Sequence, residues 1–140
     1  MARILALDIG DRRVGTALAD SNGRHLHPHL TFDRLHGLAE KEIIKLVTEM
    51  EIRLIVVGLP LSENGQKNEQ CSKVENFCRR LKRRIDAEIV YVDEYLSSVE
   101  AIELLRLNPK RERIARRKGT IDAVSASIIL RSYFTAKESV

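Results

Sequence analysis

The stretch from Arg3 to Asp20 constrains the fold most, because in it a continuous apolar run ends in an aspartate. Residues 4–7 are all apolar and lead directly into Asp8, and a second apolar run opens at Val14. A short continuous apolar run is typical of a strand that is covered on both faces of a sheet. The stretch therefore predicts a buried central strand that ends at Asp8, a tight turn, and a second strand antiparallel to the first.

Asp8 has two interpretations at this position. A carboxylate at the centre of a sheet is costly to bury unless it has a partner, and a metal ion is one such partner. Alternatively, the aspartate caps the turn by accepting hydrogen bonds from backbone N–H groups, which is a common arrangement. Both interpretations stay open on this stretch alone.

The apolar residues of the remaining chain predict a mixed α/β sheet. A turn signal at residues 20–23 indicates a hairpin, and the apolar spacing becomes helical from residue 38. The further predicted elements are a strand over 24–32, a helix over 38–50, a strand over 54–57, a helix over 66–85, a strand over 89–92, a short helix over 97–107 and a last helix over 120–135. Since right-handed crossovers join parallel strands, we expect five strands in the order 3-2-1-4-5, flanked by helices. The whole chain, 1–140, is expected to be a single domain.

Membrane and secretory signals are not apparent in the sequence. No apolar run approaches the roughly 20 residues needed to span a bilayer. The N-terminus lacks the regions of a signal peptide, because Asp8 interrupts the apolar run early. A cytoplasmic protein without a membrane partner is therefore expected.

The positive charge is distributed unevenly, although the formal net charge is only +4. Residues 106–118 hold seven cations and a single acid, which favours a polyanion such as nucleic acid as partner. The residues expected to contact nucleic acid are Arg12, Arg13, Lys110, Arg111, Arg113, Arg116, Arg117 and Lys118. A second basic cluster, residues 79–84, is interpreted as the solvated face of an amphipathic helix.

Three carboxylates are expected to converge at one edge of the sheet. Asp8 ends the first strand, Glu94 follows the fifth strand, and Asp122 lies in the first turn of the last helix. In parallel α/β sheets, sites form outside the carboxyl ends of the strands. Converging carboxylates repel one another, so Mg²⁺ or Mn²⁺ is the natural stabiliser. Each acid also has a structural interpretation, since Glu94 can cap a turn and a helix dipole stabilises Asp122. Asp93 is interpreted as an exposed strand-end residue.

Four short motifs follow one another along the chain. They are Asp8-Ile9-Gly10 with Arg13, Gly15 and Ala17; Val57-Gly58-Leu59-Pro60-Leu61 with Asn64-Gly65; Asp93-Glu94-Tyr95-Leu96-Ser97-Ser98 with Glu100-Ala101; and Lys118-Gly119 with Asp122, Ser125 and Ala126. In this order and spacing the chain resembles, over nearly its whole length, the YqgF/RuvX family of pre-16S rRNA nucleases or Holliday junction resolvase-like proteins. Tyr95 and Ser98 depart from the pattern, because the family usually has arginine and threonine there.

The resemblance implies an RNase H-like fold and metal-dependent nuclease chemistry. Asp8, Glu94 and Asp122 would form the acidic trio, with Mg²⁺ or Mn²⁺ as cofactor. The implied substrate is the 5′ end of precursor 16S rRNA, or alternatively branched DNA. The expected oligomeric state is a monomer or a homodimer.

Two further functions compete with the nuclease. Tyr95 stands where the family usually has arginine, so a positive charge beside Glu94 is missing. This difference favours a non-catalytic RNA-binding protein of ribosome assembly. The aspartate–glycine turn also occurs in actin-like and sugar-kinase ATPases. Those enzymes bind nucleotide between two domains, and a chain of 140 residues is short for two domains.

Overall fold

The computed structural model describes residues 3–61, 64–93 and 120–138. Its elements, in chain order, are β1 (Arg3–Ile9), β2 (Arg13–Asp20), β3 (His27–Asp33), a short 3₁₀ turn (Leu35–Gly37), α1 (Leu38–Glu49), β4 (Ile52–Leu59), α2 (Glu69–Lys82), β5 (Glu88–Asp93) and α3 (Thr120–Glu138). The predicted short helix over 97–107 lies outside the described residues. Among the helices described, none is both long and apolar enough to cross a membrane.

The strands form one five-stranded sheet in the order β3-β2-β1-β4-β5, which confirms the predicted order. β1 pairs antiparallel with β2 and parallel with β4, and β4 pairs parallel with β5. The last residues of β1, β4 and β5 therefore lie along one side of the sheet, here called the carboxyl edge. β3 and β5 are the outermost strands of this sheet.

β1 is the middle strand of the sheet, and both of its faces are covered. Leu5 and Leu7 are fully buried in a cluster with Ile43 of α1 and Phe77 of α2. The alternate residues Ile4 and Ala6 belong to a second cluster with α3. Side chains of a strand point alternately to its two faces, so α1 and α2 cover one face of the sheet and α3 covers the other.

The α3 face of the sheet is built from small residues. Ala6 in β1 and Ala17 in β2 are fully buried against Ala126 of α3. Gly15 lies one alternation from Ala17, and a Cβ atom placed on it would overlap the backbone carbonyl of Asp122. Only a glycine at position 15 allows the first turn of α3 to lie this close to β2.

Two predicted boundaries are wrong because local side-chain hydrogen bonds were not anticipated. β3 begins at His27 rather than at residue 24, since Asp20 Oδ1 accepts from the backbone N–H groups of Arg24 and His25. α2 begins at Glu69 rather than at residue 66, since the Asn68 side chain caps the helix by accepting from the N–H of Cys71 at 3.1 Å. Two predicted helix ends also differ, since α2 ends at Lys82 rather than at residue 85 and the last helix continues past 135 to Glu138.

Gly15→Ala is expected to lower the free energy of unfolding by about 1–3 kcal/mol, because α3 must move away from β2. Urea denaturation measures this loss. Amide hydrogen exchange should at the same time become faster in α3, where local packing is weakened.

Gly37→Ala is the matched control for this substitution. Gly37 has φ +71°, but a Cβ atom placed on it would meet no other atom within 4 Å, so only local backbone strain is introduced. The exchange of α3 amides should stay unchanged in this variant. Unchanged α3 exchange in Gly15→Ala would contradict the packing described above.

Candidate active site

Asp8 lies at the carboxyl edge, as the next-to-last residue of β1. It alternates with Ile4 and Ala6, so its side chain points to the face covered by α3. It is only partly buried, and its Cα partner across the antiparallel pair is Gly15 of β2. Asp8 therefore faces the same space that the first turn of α3 enters over Gly15.

Asp122 occupies that first turn and lies directly over Gly15. The position of a Cβ on Gly15 is 2.7 Å from the Cβ of Asp122. Directly opposed residues of an antiparallel pair have Cβ positions about 4.5–5.5 Å apart, so the Cβ atoms of Asp8 and Asp122 lie within roughly 8 Å. Two carboxylates at this separation can share one cation.

Arg13 forms an ion pair with Asp122, with Arg13 Nε 3.1 Å from Asp122 Oδ2. Their side chains are 49% and 30% exposed. Burial raises the pKa of the Asp122 carboxyl above its ordinary value, and the Arg13 charge and hydrogen bond offset this only in part. The charged carboxylate of Asp122 is thus held in a place where water stabilises it poorly.

The donor set fits a divalent cation, since two half-buried carboxylates on one face of the sheet are hard oxygen ligands. A bound cation would offset the cost of burying the Asp122 charge. Across residues 3–61, 64–93 and 120–138, no group of three metal-binding side chains comes together. Glu94, the predicted third carboxylate, lies outside these ranges, as do the predicted contacts Lys110, Arg111, Arg113, Arg116, Arg117 and Lys118.

Asp93 ends β5 and pairs with Leu59 at the end of β4. Its side chain is exposed, which confirms the sequence-based interpretation. Asp93 is therefore not part of the pair formed by Asp8 and Asp122.

The turn that follows Asp8 is fixed from outside by Arg34. Within the turn, the Gly10 N–H donates to the Arg13 carbonyl at 2.9 Å. Arg34 Nη1 donates to the Gly10 carbonyl at 2.6 Å, and its guanidinium carbon lies 5.0 Å from the ring centroid of Phe77. Sequence analysis missed Arg34, because nothing in the spacing around it indicates a contact with a turn 24 residues earlier.

The two arginines of the turn have different surroundings. Arg12 is exposed and lines a cavity of about 600 Å³ together with Asp11, Asp33, Arg34 and Leu35. Arg13 instead orients Asp122 through its Nε. A guanidinium has five donor N–H groups, so the pairing leaves Arg13 able to contact a second anion.

The fold places the chain in a class of known structures. The chain is similar to Thermus thermophilus RuvC, whose structure was solved in complex with a Holliday junction substrate. The TM-score is 0.57 at 12% identity, over 97% of this chain and 96% of RuvC. The fold is RNase H-like, as the sequence predicted.

Sequence comparison then assigns the family. The family model described as "RuvX: Holliday junction resolvase" matches residues 2–136, and the chain belongs to this family. A Fusobacterium nucleatum relative is 39% identical over 139 residues, covering 99% of this chain and 100% of the relative. A Chloroflexus aurantiacus relative is 40% identical over 139 residues, covering 97% of this chain and 88% of the relative. Both carry the name "Putative pre-16S rRNA nuclease". The family predicted from the motifs is confirmed.

Asp122→Asn is expected to make the metal-free protein more stable at neutral pH. Burial raises the pKa of Asp122 in the folded state, so the folded state holds its proton more tightly than the unfolded state. Below the unfolded pKa of about 4 the carboxyl is neutral in both states. As the pH rises through the folded pKa, the wild type loses stability relative to the variant.

Thermal unfolding in EDTA, from acid to neutral pH, measures this difference. The Tm of Asp122→Asn should exceed that of the wild type by a margin that grows with pH. A margin that shrinks with rising pH would show that the Arg13 ion pair outweighs the burial of Asp122.

Arg34→Met is expected to lower the free energy of unfolding by about 1–2 kcal/mol, because a charge-assisted hydrogen bond to the Gly10 carbonyl is lost. Methionine keeps much of the apolar contact with Phe77. Arg53→Met, at an exposed site on β4, is the control in urea denaturation. Equal losses in both variants would mean that the Gly10 contact does not stabilise the turn.

Proposed function

We propose that this protein is a metal-dependent endonuclease that processes the 5′ end of precursor 16S rRNA by phosphodiester hydrolysis. The observation that carries the proposal is the position of Asp122 over Gly15, beside Asp8 on the same face of the sheet. The names of the full-length relatives support the choice of substrate. Membership of a resolvase family supports nuclease chemistry in general.

Asp8 and Asp122 would hold Mg²⁺ or Mn²⁺, and Glu94, which directly follows β5 in the sequence, is proposed as the third ligand. The chemistry that such an ion would supply when bound is activation of a water molecule and stabilisation of the leaving oxygen in phosphodiester hydrolysis. Carboxylate oxygens suit either of the two metals.

Other side chains of the site position the carboxylates and are proposed to contact the substrate phosphate. Arg13 holds Asp122 in one orientation, and the absence of a side chain at Gly15 lets the carboxylate come near Asp8. Arg12, exposed at the turn, is proposed to hold a substrate phosphate. The basic residues Lys110, Arg111, Arg113, Arg116, Arg117 and Lys118 are proposed to bind the nucleic-acid backbone, which carries little sequence information.

Branched DNA is the second candidate substrate, because the family description names a Holliday junction resolvase. A resolvase cuts two strands symmetrically, and this property separates it from an rRNA-processing enzyme. A cytoplasmic location and a monomeric or homodimeric state stay predictions.

Asp8→Asn is expected to abolish cleavage while the fold is retained, because the variant loses a charged oxygen ligand. The assay offers a labelled 5′ leader of precursor 16S rRNA and a four-way DNA junction side by side, with Mg²⁺ or Mn²⁺. Cleavage of the leader alone is the expected result. Circular dichroism checks the fold.

Asp11→Asn is the matched control, because Asp11 is an exposed aspartate three residues further along the chain, in the turn that follows β1. Its carboxylate lies 3.8 Å from Lys73 Nζ. Full activity is expected in this variant. Retained cleavage in Asp8→Asn would contradict the proposal. Symmetric cutting of the junction alone would favour the resolvase, and tight RNA binding without cleavage would favour the non-catalytic protein.

A further inference from the structure

A groove of about 530 Å³ lies between α2 and the outermost strand β5, on the face of the sheet opposite α3. Its lining includes three cations, Arg79, Lys82 and Arg83, and the aromatic side chain of Tyr91. The Tyr91 side chain is 40% exposed, so part of its ring is accessible. The groove thus combines positive charge with an accessible aromatic ring.

The Tyr91 hydroxyl forms a hydrogen bond with the side chain of Cys78, which also lines the groove. Cys78 is buried, and burial raises the pKa of its thiol to about 11, so it stays neutral and acts as an acceptor. A fixed ring with an exposed face loses little conformational entropy when another ring stacks on it. Tyr91 is therefore suited to serve as a stacking platform.

The acids of the groove do not cancel its positive charge. Glu75 lies 3.2 Å from Lys67 Nζ and is neutralised by that ion pair. Glu88 is at the start of β5, three residues before Tyr91. Lys82 donates to the Ala87 carbonyl at 2.7 Å, which fixes its ammonium beside the groove.

Tyr91 is the lining residue of β5 nearest to the carboxyl edge. It pairs with Val57, and Val57 pairs with Leu7, which directly precedes Asp8. Two interstrand spacings amount to about 10 Å. A flexible chain that crosses the carboxyl edge can therefore reach from the paired carboxylates into the groove.

We propose that this groove binds the single-stranded part of the nucleic-acid substrate that flanks the cleaved bond. A base stacks on Tyr91, while Arg79 and Arg83 contact the phosphates beside it. Positively charged grooves with aromatic platforms bind single strands in this way, because an unpaired base exposes its ring. This inference rests on the proposed nuclease function, because that function defines the cleaved bond from which the strand runs into the groove. It adds a binding role for Arg79 and Arg83 to the interpretation of residues 79–84 as a solvated face.

Arg83→Ala and Arg84→Ala test the charge of the groove with a matched pair. Both arginines are exposed neighbours, but Arg84 lines a different cavity, with Arg53 and Asp86. The dissociation constant of fluorescein-labelled oligouridylate is measured by anisotropy at several salt concentrations. Arg83→Ala should weaken binding about five-fold and lower the salt slope by about 0.7, whereas Arg84→Ala should change neither. Equal effects in both variants would overturn the proposal.

Tyr91→Leu and Tyr91→Phe test the stacking platform. Leucine fills the space without an aromatic face, and phenylalanine keeps the face without the hydroxyl. Tyr91→Leu should weaken binding of the single strand about five-fold or more, and Tyr91→Phe, which keeps the aromatic face but loses the hydrogen bond to Cys78, should lose clearly less. Duplex RNA should bind all three proteins equally. An equal loss for duplex and single strand, or no loss in Tyr91→Leu, would overturn the proposal, and thermal melts exclude unfolding.

Cleavage assays separate failure of the groove from failure of the proposed function. If the groove binds the substrate, Arg83→Ala should slow cleavage of a long single-stranded flank but not of a substrate trimmed close to the cut. Equal cleavage of both substrates by Arg83→Ala would overturn the groove. Failure of the nuclease proposal would appear differently, as unchanged cleavage in Asp8→Asn or as no cleavage by the wild type, and the binding measurements would still test the groove.

Discussion

Helix α3 reaches the sheet through a backbone contact at Gly15, and the geometry of the candidate site depends on that contact. Asp122 is in the first turn of this helix, and its distance from Asp8 is set by how closely the helix lies on β2. A side chain at position 15 would occupy the space of the Asp122 carbonyl. The alanines that continue the small surface, Ala6 and Ala17, extend the same close approach along the helix. Packing and chemistry are thus determined by the same strip of small residues.

This close approach has an electrostatic cost that the site retains. Asp122 is removed far enough from water that its pKa is raised even though Arg13 lies 3.1 Å away. A residue selected only for stability would be neutral here. A carboxylate poised in this way gains more from a cation than an exposed carboxylate does, because the cation replaces the lost hydration. The instability of the site without metal and its proposed affinity for metal therefore have one physical cause.

The sequence predicted those features that follow from periodicity. The continuous apolar run before Asp8 indicated a two-sided central strand, and alternating strand and helix spacings led to the correct sheet order. Sequence analysis failed where a side chain forms a hydrogen bond with a backbone group, as Asp20 and Asn68 do at element boundaries. Arg34 was missed for the same reason, since its partner Gly10 lies 24 residues away and no pattern links the two. Glu94 and the basic segment over 106–118 stay predictions.

The two faces of the sheet have different proposed functions, metal binding on the face covered by α3 and strand binding on the face covered by α2. Carboxylates without a bound metal repel the phosphates of a substrate, so cations that lie farther from them add binding energy with less of that repulsion. At physiological salt the screening length is about 8 Å. Tyr91 lies about two strand spacings from the residue before Asp8, and Arg79 lines the same groove on the opposite face of the sheet from Asp122, so the intervening core separates the groove from the acids. A basic groove at the outer strand can therefore hold a substrate strand without disturbing the charge balance at Asp8 and Asp122.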